Sequence, residues 1–126
     1  MLTIFGIPKP FEGHFGLIQR NAIQSWTRLT PRCQVLLFGD ETGIAEVAKE
    51  VGAQHIPKVE RNEFGTPLLN SVFGQAEKAA IYPTLCFVNS DVIFMDDFLP
   101  AVQQVLSKYG RFLLIGRRTT VDITEP

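Results

Sequence analysis

Apolar runs with strand character alternate along this chain with segments of helical spacing, and that alternation leaves few architectures open. Residues 2–7, 33–38, 53–56 and 84–88 are short apolar runs rich in β-formers, each followed by turn residues. The first is stopped by Pro8 and Pro10 around Lys9. Between the runs the apolar residues recur every three or four positions. Over 12–29, Phe15, Ile18, Ala22, Trp26 and Leu29 predict an inward face, with Gln19, Arg20 and Arg28 turned away. Trp26 reads as core. A second helix over 44–51 carries Ile44, Val47, Ala48 and Val51, with Thr42 as its expected N-cap and Gly52 just past its end. Thr66 as N-cap and Pro67 as first helical residue open a third, whose expected buried face is Leu69, Val72, Phe73, Ala76 and Ala80. A fourth, capped by Asp96 or Asp97, runs over 98–109 and is closed by Gly110. Pro100 falls in its first turn, where an N–H has no intrahelical acceptor. Residues 111–116 predict a last strand. The alternation predicts an α/β fold of three layers, α/β/α, with a mostly parallel, Rossmann-like sheet and helices on both faces.

At 126 residues, with no linker, repeat or low-complexity tract, the chain reads as one domain over 1–126. A net charge of -1 supplies no electrostatic footprint for nucleic acid or an anionic membrane. Cys33 and Cys86 lie far apart in sequence, each inside an apolar run, and read as buried free thiols in a reducing compartment. The opening apolar run is too short for a signal-peptide core, and no later run approaches a membrane span. The expected location is cytoplasmic.

In a parallel sheet of this kind ligands collect at the carboxyl ends of the strands. The stretch over 84–94 places a carboxylate there, with Thr84 to Val88 leading into Asn89, Ser90 and Asp91. An acid closing an apolar strand either caps a turn or has a task. The task that suits it is to hold a magnesium- or manganese-type ion against a phosphate, because a carboxylate is a hard oxygen ligand. Asp40 follows another apolar strand and can accept hydrogen bonds from a base or a ribose, while Asn89 both donates and accepts. Asn70 and the loop from Asn62 to Thr66 are expected to border the same pocket. Lys9, Arg117 and Arg118 are candidate phosphate contacts, although loop cations are more often merely solvated.

Other chemistries lack their residues. His14 and His55 have no spacing suited to zinc or to a catalytic dyad, and both read as surface or satisfied histidines. No phosphate-loop signature is present. Gly13 and Gly16 do not form a dinucleotide fingerprint, and Ser71, Ser90 and Ser107 lack a nucleophile-elbow context. A flavodoxin-like receiver or redox domain shares the alternation. Its acidic pair or small-residue phosphate loop after the first strand is missing.

Over nearly its whole length the chain resembles the nucleotide-sugar-binding half of GT-A glycosyltransferases, especially family-2-like members. Ile7 and Pro8 look like that family's opening strand and proline loop, and Phe38, Gly39 and Asp40 like the strand end whose acid contacts the base. The segment from Gly65 to Ala76, with Asn70 inside, is similar to the helix preceding the family's acidic motif. Asn89, Ser90 and Asp91 occupy the place of its DxD signature. The resemblance implies binding of a nucleotide-diphospho-sugar donor with a divalent cation, Mn2+ or Mg2+. Asp91 would be the metal ligand, and Pro8, Lys9, Asp40, Asn62, Gly65, Asn70 and Asn89 would form the nucleotide site. Asn89 stands where an acid is usual, which removes one charge. The family's acceptor pocket and catalytic base come from a following segment that has no counterpart before Pro126, so no catalytic residue or acceptor is assigned. The expected function is therefore donor binding for glycosyl transfer, with a partner chain or self-association at an open sheet edge. The alternative is a non-catalytic binding or interaction module of the same fold.

Overall fold

The computed structural model describes residues 2–108. The expected strand at 111–116, the end of the last helix at Tyr109 and Gly110, and Arg117 and Arg118 lie outside them. Four strands, β1 (Thr3–Gly6), β2 (Gln34–Phe38), β3 (Gln54–Ile56) and β4 (Leu85–Phe87), alternate with α1 (Gly13–Thr27), α2 (Ile44–Val51), α3 (Leu69–Ala79) and α4 (Phe98–Lys108). All pairings are parallel, in the order β3-β2-β1-β4. The fold is α/β, as the alternation predicts.

Side-chain alternation along the strands sorts the core into two layers. On one face Leu2, Ile4, Val35 and Leu37 meet Ile23 and Trp26 of α1, Ile44, Val47 and Ala48 of α2, and Leu99 and Val102 of α4. On the other, Phe5, Leu36 and Phe38 meet Val72 and Ala76 of α3. The chain steps outward from β1 to β3 through α1 and α2. It then returns through α3 on the opposite face, as right-handed crossovers require when the direction reverses. Gln34 holds the far end of α3 to the sheet, its Nε2 donating to the Ala79 carbonyl at 3.0 Å and its Oε1 accepting from Ile81 N–H at 2.8 Å.

Four local expectations are corrected. Phe15 is 59% exposed and Gln19 only 3%, so the buried stripe of α1 passes through Gln19, Ala22, Ile23 and Trp26. Gln19 is drawn inward because its amide satisfies backbone groups of the loop after β1. In α3, Val72 and Ala76 are buried against the sheet, whereas Leu69 is exposed and Phe73 keeps one side open while its ring packs edge-on against Phe5, 5.0 Å between centroids. The N-cap of α2 is Gly43 in the left-handed region, not Thr42. Thr66 and Pro67 do not start α3 either. They form the returning arm of a small hairpin in which Arg61 bridges Pro67 and Leu68 N–H donates to the Glu60 carbonyl at 2.8 Å, so α3 begins at Leu69. Gly52 ends α2 as expected, at φ 78°, with its N–H on the Ala48 carbonyl.

Candidate functional site

Strand order reverses between β1 and β4, and open α/β sheets bind ligands outside the carboxyl ends of the strands at such a point. The chain leaves β4 there. Val88 N–H makes a last ladder bond to the Phe5 carbonyl at 3.1 Å, and Val92 N–H returns to the Asn89 carbonyl at 3.1 Å, closing a four-residue turn. Within this turn Asn89 and Asp91 are exposed, while Ser90 between them is buried at 7% exposure. The turn thus presents two hard oxygen donors, a carboxylate and an amide, at the reversal point.

The loop after β1 lies beside it. Pro8 is buried, and the Lys9 peptide is held on both sides by Gln19, whose Oε1 accepts from Lys9 N–H at 2.7 Å while its Nε2 donates to the Lys9 carbonyl at 2.9 Å. The exposed Lys9 ammonium lies 5.4 Å from the centre of the Phe15 ring. Farther on, Phe11 N–H donates to the Thr42 carbonyl at 2.8 Å, tying this loop to the one after β2.

Asp40, two residues beyond β2, lies at the same sheet edge one strand away. Its carboxylate is 3.6 Å from Arg61 Nη2, and that nitrogen is 3.5 Å from Glu41. Both acids are solvent-accessible, so the pairing is weak and open to competition. Asn62 is engaged within its own hairpin. Its Oδ1 accepts from Phe64 N–H at 2.9 Å and from Thr66 N–H at 3.0 Å, and Gly65, at φ 80°, supplies the reversal and a carbonyl for Arg61 Nη1 at 2.9 Å. Asn70 is exposed on the first turn of α3. The structure therefore gathers Pro8, Lys9, Asn89 and Asp91 at the strand ends flanking the reversal, with Asp40 one strand over. Asn62 and Gly65 shape a hairpin rather than offering side chains.

A magnesium-type ion takes one or two protein carboxylates and completes its shell with phosphate oxygens and water, so Asp91 with Asn89 fits an ion bridging to a phosphate ligand. It does not fit a closed protein cage, and among the described residues no three of His, Cys, Asp and Glu come together to hold a metal. No family model matches this chain, and neither a curated protein nor a solved structure matches it. Among the described residues no helix is long and apolar enough to cross a membrane.

Several residues of the site carry no motif. Gln19 is detectable only as one polar position within an otherwise apolar helical stripe. Arg61 joins two loops, reaching Asp40 and Glu41 from the hairpin that holds Gly65. His55 is a satisfied histidine, with Nε2 2.6 Å from the Gly39 carbonyl. Ser90 is the least visible, since among the described residues its buried Oγ has no hydrogen-bond partner.

Proposed function

We propose that this chain is the donor-binding portion of a GT-A-type glycosyltransferase, binding a nucleotide-diphospho-sugar through a divalent cation held at Asp91. The observation that carries this reading is the exposed Asn89 and Asp91 pair on a closed turn at the reversal of strand order. Asp91 would hold the ion and Asn89 the ribose or the metal side. Lys9 would approach the diphosphate, and Asp40, after exchanging its contact with Arg61, would accept a hydrogen bond from the base. The cation, when bound, neutralises charge developing on the departing diphosphate. The protein's part is to bind and orient the donor, and activation of an acceptor hydroxyl would require a base from outside the described residues. The free cysteines fit a reducing compartment, and we place the protein in the cytoplasm.

A second reading, a non-catalytic interaction module, is favoured by the exposed Phe73 and Phe87 beside β4, the edge strand of the described sheet. Calorimetric titration with UDP and GDP, each with and without manganese, separates the two. Manganese-dependent binding of either nucleotide is the expected result. Absence of binding under all four conditions removes the donor-site reading and leaves the module.

A further inference from the structure

Trp26 is buried in full, yet its indole does more than fill the core. Nε1 donates to the carbonyl of Val92, the residue directly after Asp91, at 2.8 Å across 66 positions of sequence. One residue earlier on the same helix, Ser25 Oγ accepts from Phe94 N–H at 3.0 Å while donating to the Ala22 carbonyl at 2.6 Å. The end of α1 thus grips the chain just past the acid-bearing turn at two positions, Val92 and Phe94. At the incoming side the ladder bond of Val88 holds it, and Ser90 is wedged beneath. A Cβ built on Gly6 would lie 3.2 Å from Ser90 Oγ and 3.3 Å from the Trp26 ring. Phe94 extends the contact, tilted against Trp26 at 6.2 Å between centroids and stacked on Phe98 at 3.9 Å.

We infer that Trp26, seconded by Ser25, is the positioning residue for Asp91, fixing the turn through the backbone of the residues that follow it. Core packing alone does not require this arrangement. A phenylalanine would fill most of the same apolar space, whereas only a donor in the place of Nε1 satisfies the Val92 carbonyl. Val92 is then held through both its groups, the N–H by Asn89 and the C=O by Trp26. The carboxylate between them is carried on a backbone with little freedom, which is what a metal ligand needs if binding is not to include the cost of ordering it.

The inference rests on the donor-site reading for its function, but its structural half is measurable without ligand. In Trp26→Phe, native-state hydrogen exchange at the Val92 and Phe94 amides is expected to rise by about tenfold, the worth of one buried hydrogen bond. The amides of Thr3 and Gln34, in the sheet ladder, keep their wild-type rates. Manganese-dependent affinity for UDP or GDP falls in parallel, while metal-free affinity is unmoved. Exchange that rises equally at all four amides, or at none, overturns the inference, because a purely packing residue acts on global stability. If Trp26→Phe does not fold, Ser25→Ala decides the matter through exchange at Phe94. A rise confined to the segment after Asp91 supports positioning, and an unchanged rate refutes it. Wild-type protein that binds no nucleotide defeats the donor-site reading alone, since the exchange comparison still stands or falls by itself.

Discussion

Ser90 and Gly6 meet where β1 and β4 end together, and each constrains the other. A Cβ on Gly6 would lie 2.8 Å from the Val88 carbonyl, a backbone atom fixed by the sheet, besides pressing on Ser90 and the Trp26 ring. Gly6→Ala is therefore expected to destabilise the protein by about 1–3 kcal/mol through overpacking, as read by urea unfolding. The smallest side chain is required there by close approach rather than by a turn. Ser90→Ala has the opposite sign. Removing a buried hydroxyl that makes no bond among the described residues is neutral or stabilising by up to about 1 kcal/mol, and a clear loss of stability would mean that Oγ has a partner in solution.

At the scale of elements, α2 shows where capping rules are overruled. Serine is a better N-cap than glycine in general, yet the N-cap here, Gly43, sits at φ 87°, and a Cβ on it would lie 2.8 Å from Cβ of Phe11. Gly43→Ser should lower stability by about 1–2 kcal/mol in thermal or urea unfolding, from left-handed strain and the clash together. A gain would show that the loop after β1 yields. The same collision of local and tertiary rules explains what could be read from the amino acids. All four described strands and all four helices were foreseeable, because apolar runs and three-four spacing record burial directly, and α2 ends at the glycine expected. Thr42, Thr66 and Pro67 misled because a capping residue type says what a position permits and not what its neighbours demand. Thr66 is captured by Asn62, four positions before it, at the tip of a hairpin. Phe15 and Gln19 misled for a related reason. Polarity predicts exposure only where no backbone group waits inside for a partner, and the Lys9 peptide is such a group. The candidate acid at the strand end was visible, whereas the grip of Trp26 and Ser25 on the chain beyond it, across more than sixty positions, leaves no local trace.

For the molecule as a whole, Cys86 links the core to pH. Burial, with a smaller contribution from Cys33, pushes its thiol from the usual 9.0 up to about 11. Above pH 9 the unfolded thiol releases its proton while the folded one retains it. Stability from this group is therefore complete below pH 9 and lost as pH rises toward about 11, by roughly 2 kcal/mol. Unfolding free energies of wild type and Cys86→Ala should diverge in slope over that interval only. Parallel pH profiles would place the thiol in contact with water. At the reversal of strand order the topology brings the ends of β1 and β4 to one turn. Nuclear magnetic resonance of labelled protein saturated with magnesium and UDP or GDP, with manganese added in trace amounts, tests most directly whether that turn holds the cation. Amide signals of Lys9 and of Asn89, Ser90, Asp91 and Val92 are expected to broaden first, and Asp91→Ala to abolish the effect. Broadening centred on the hairpin around Arg61, or manganese that leaves the turn's signals sharp, would contradict a cation site at Asp91.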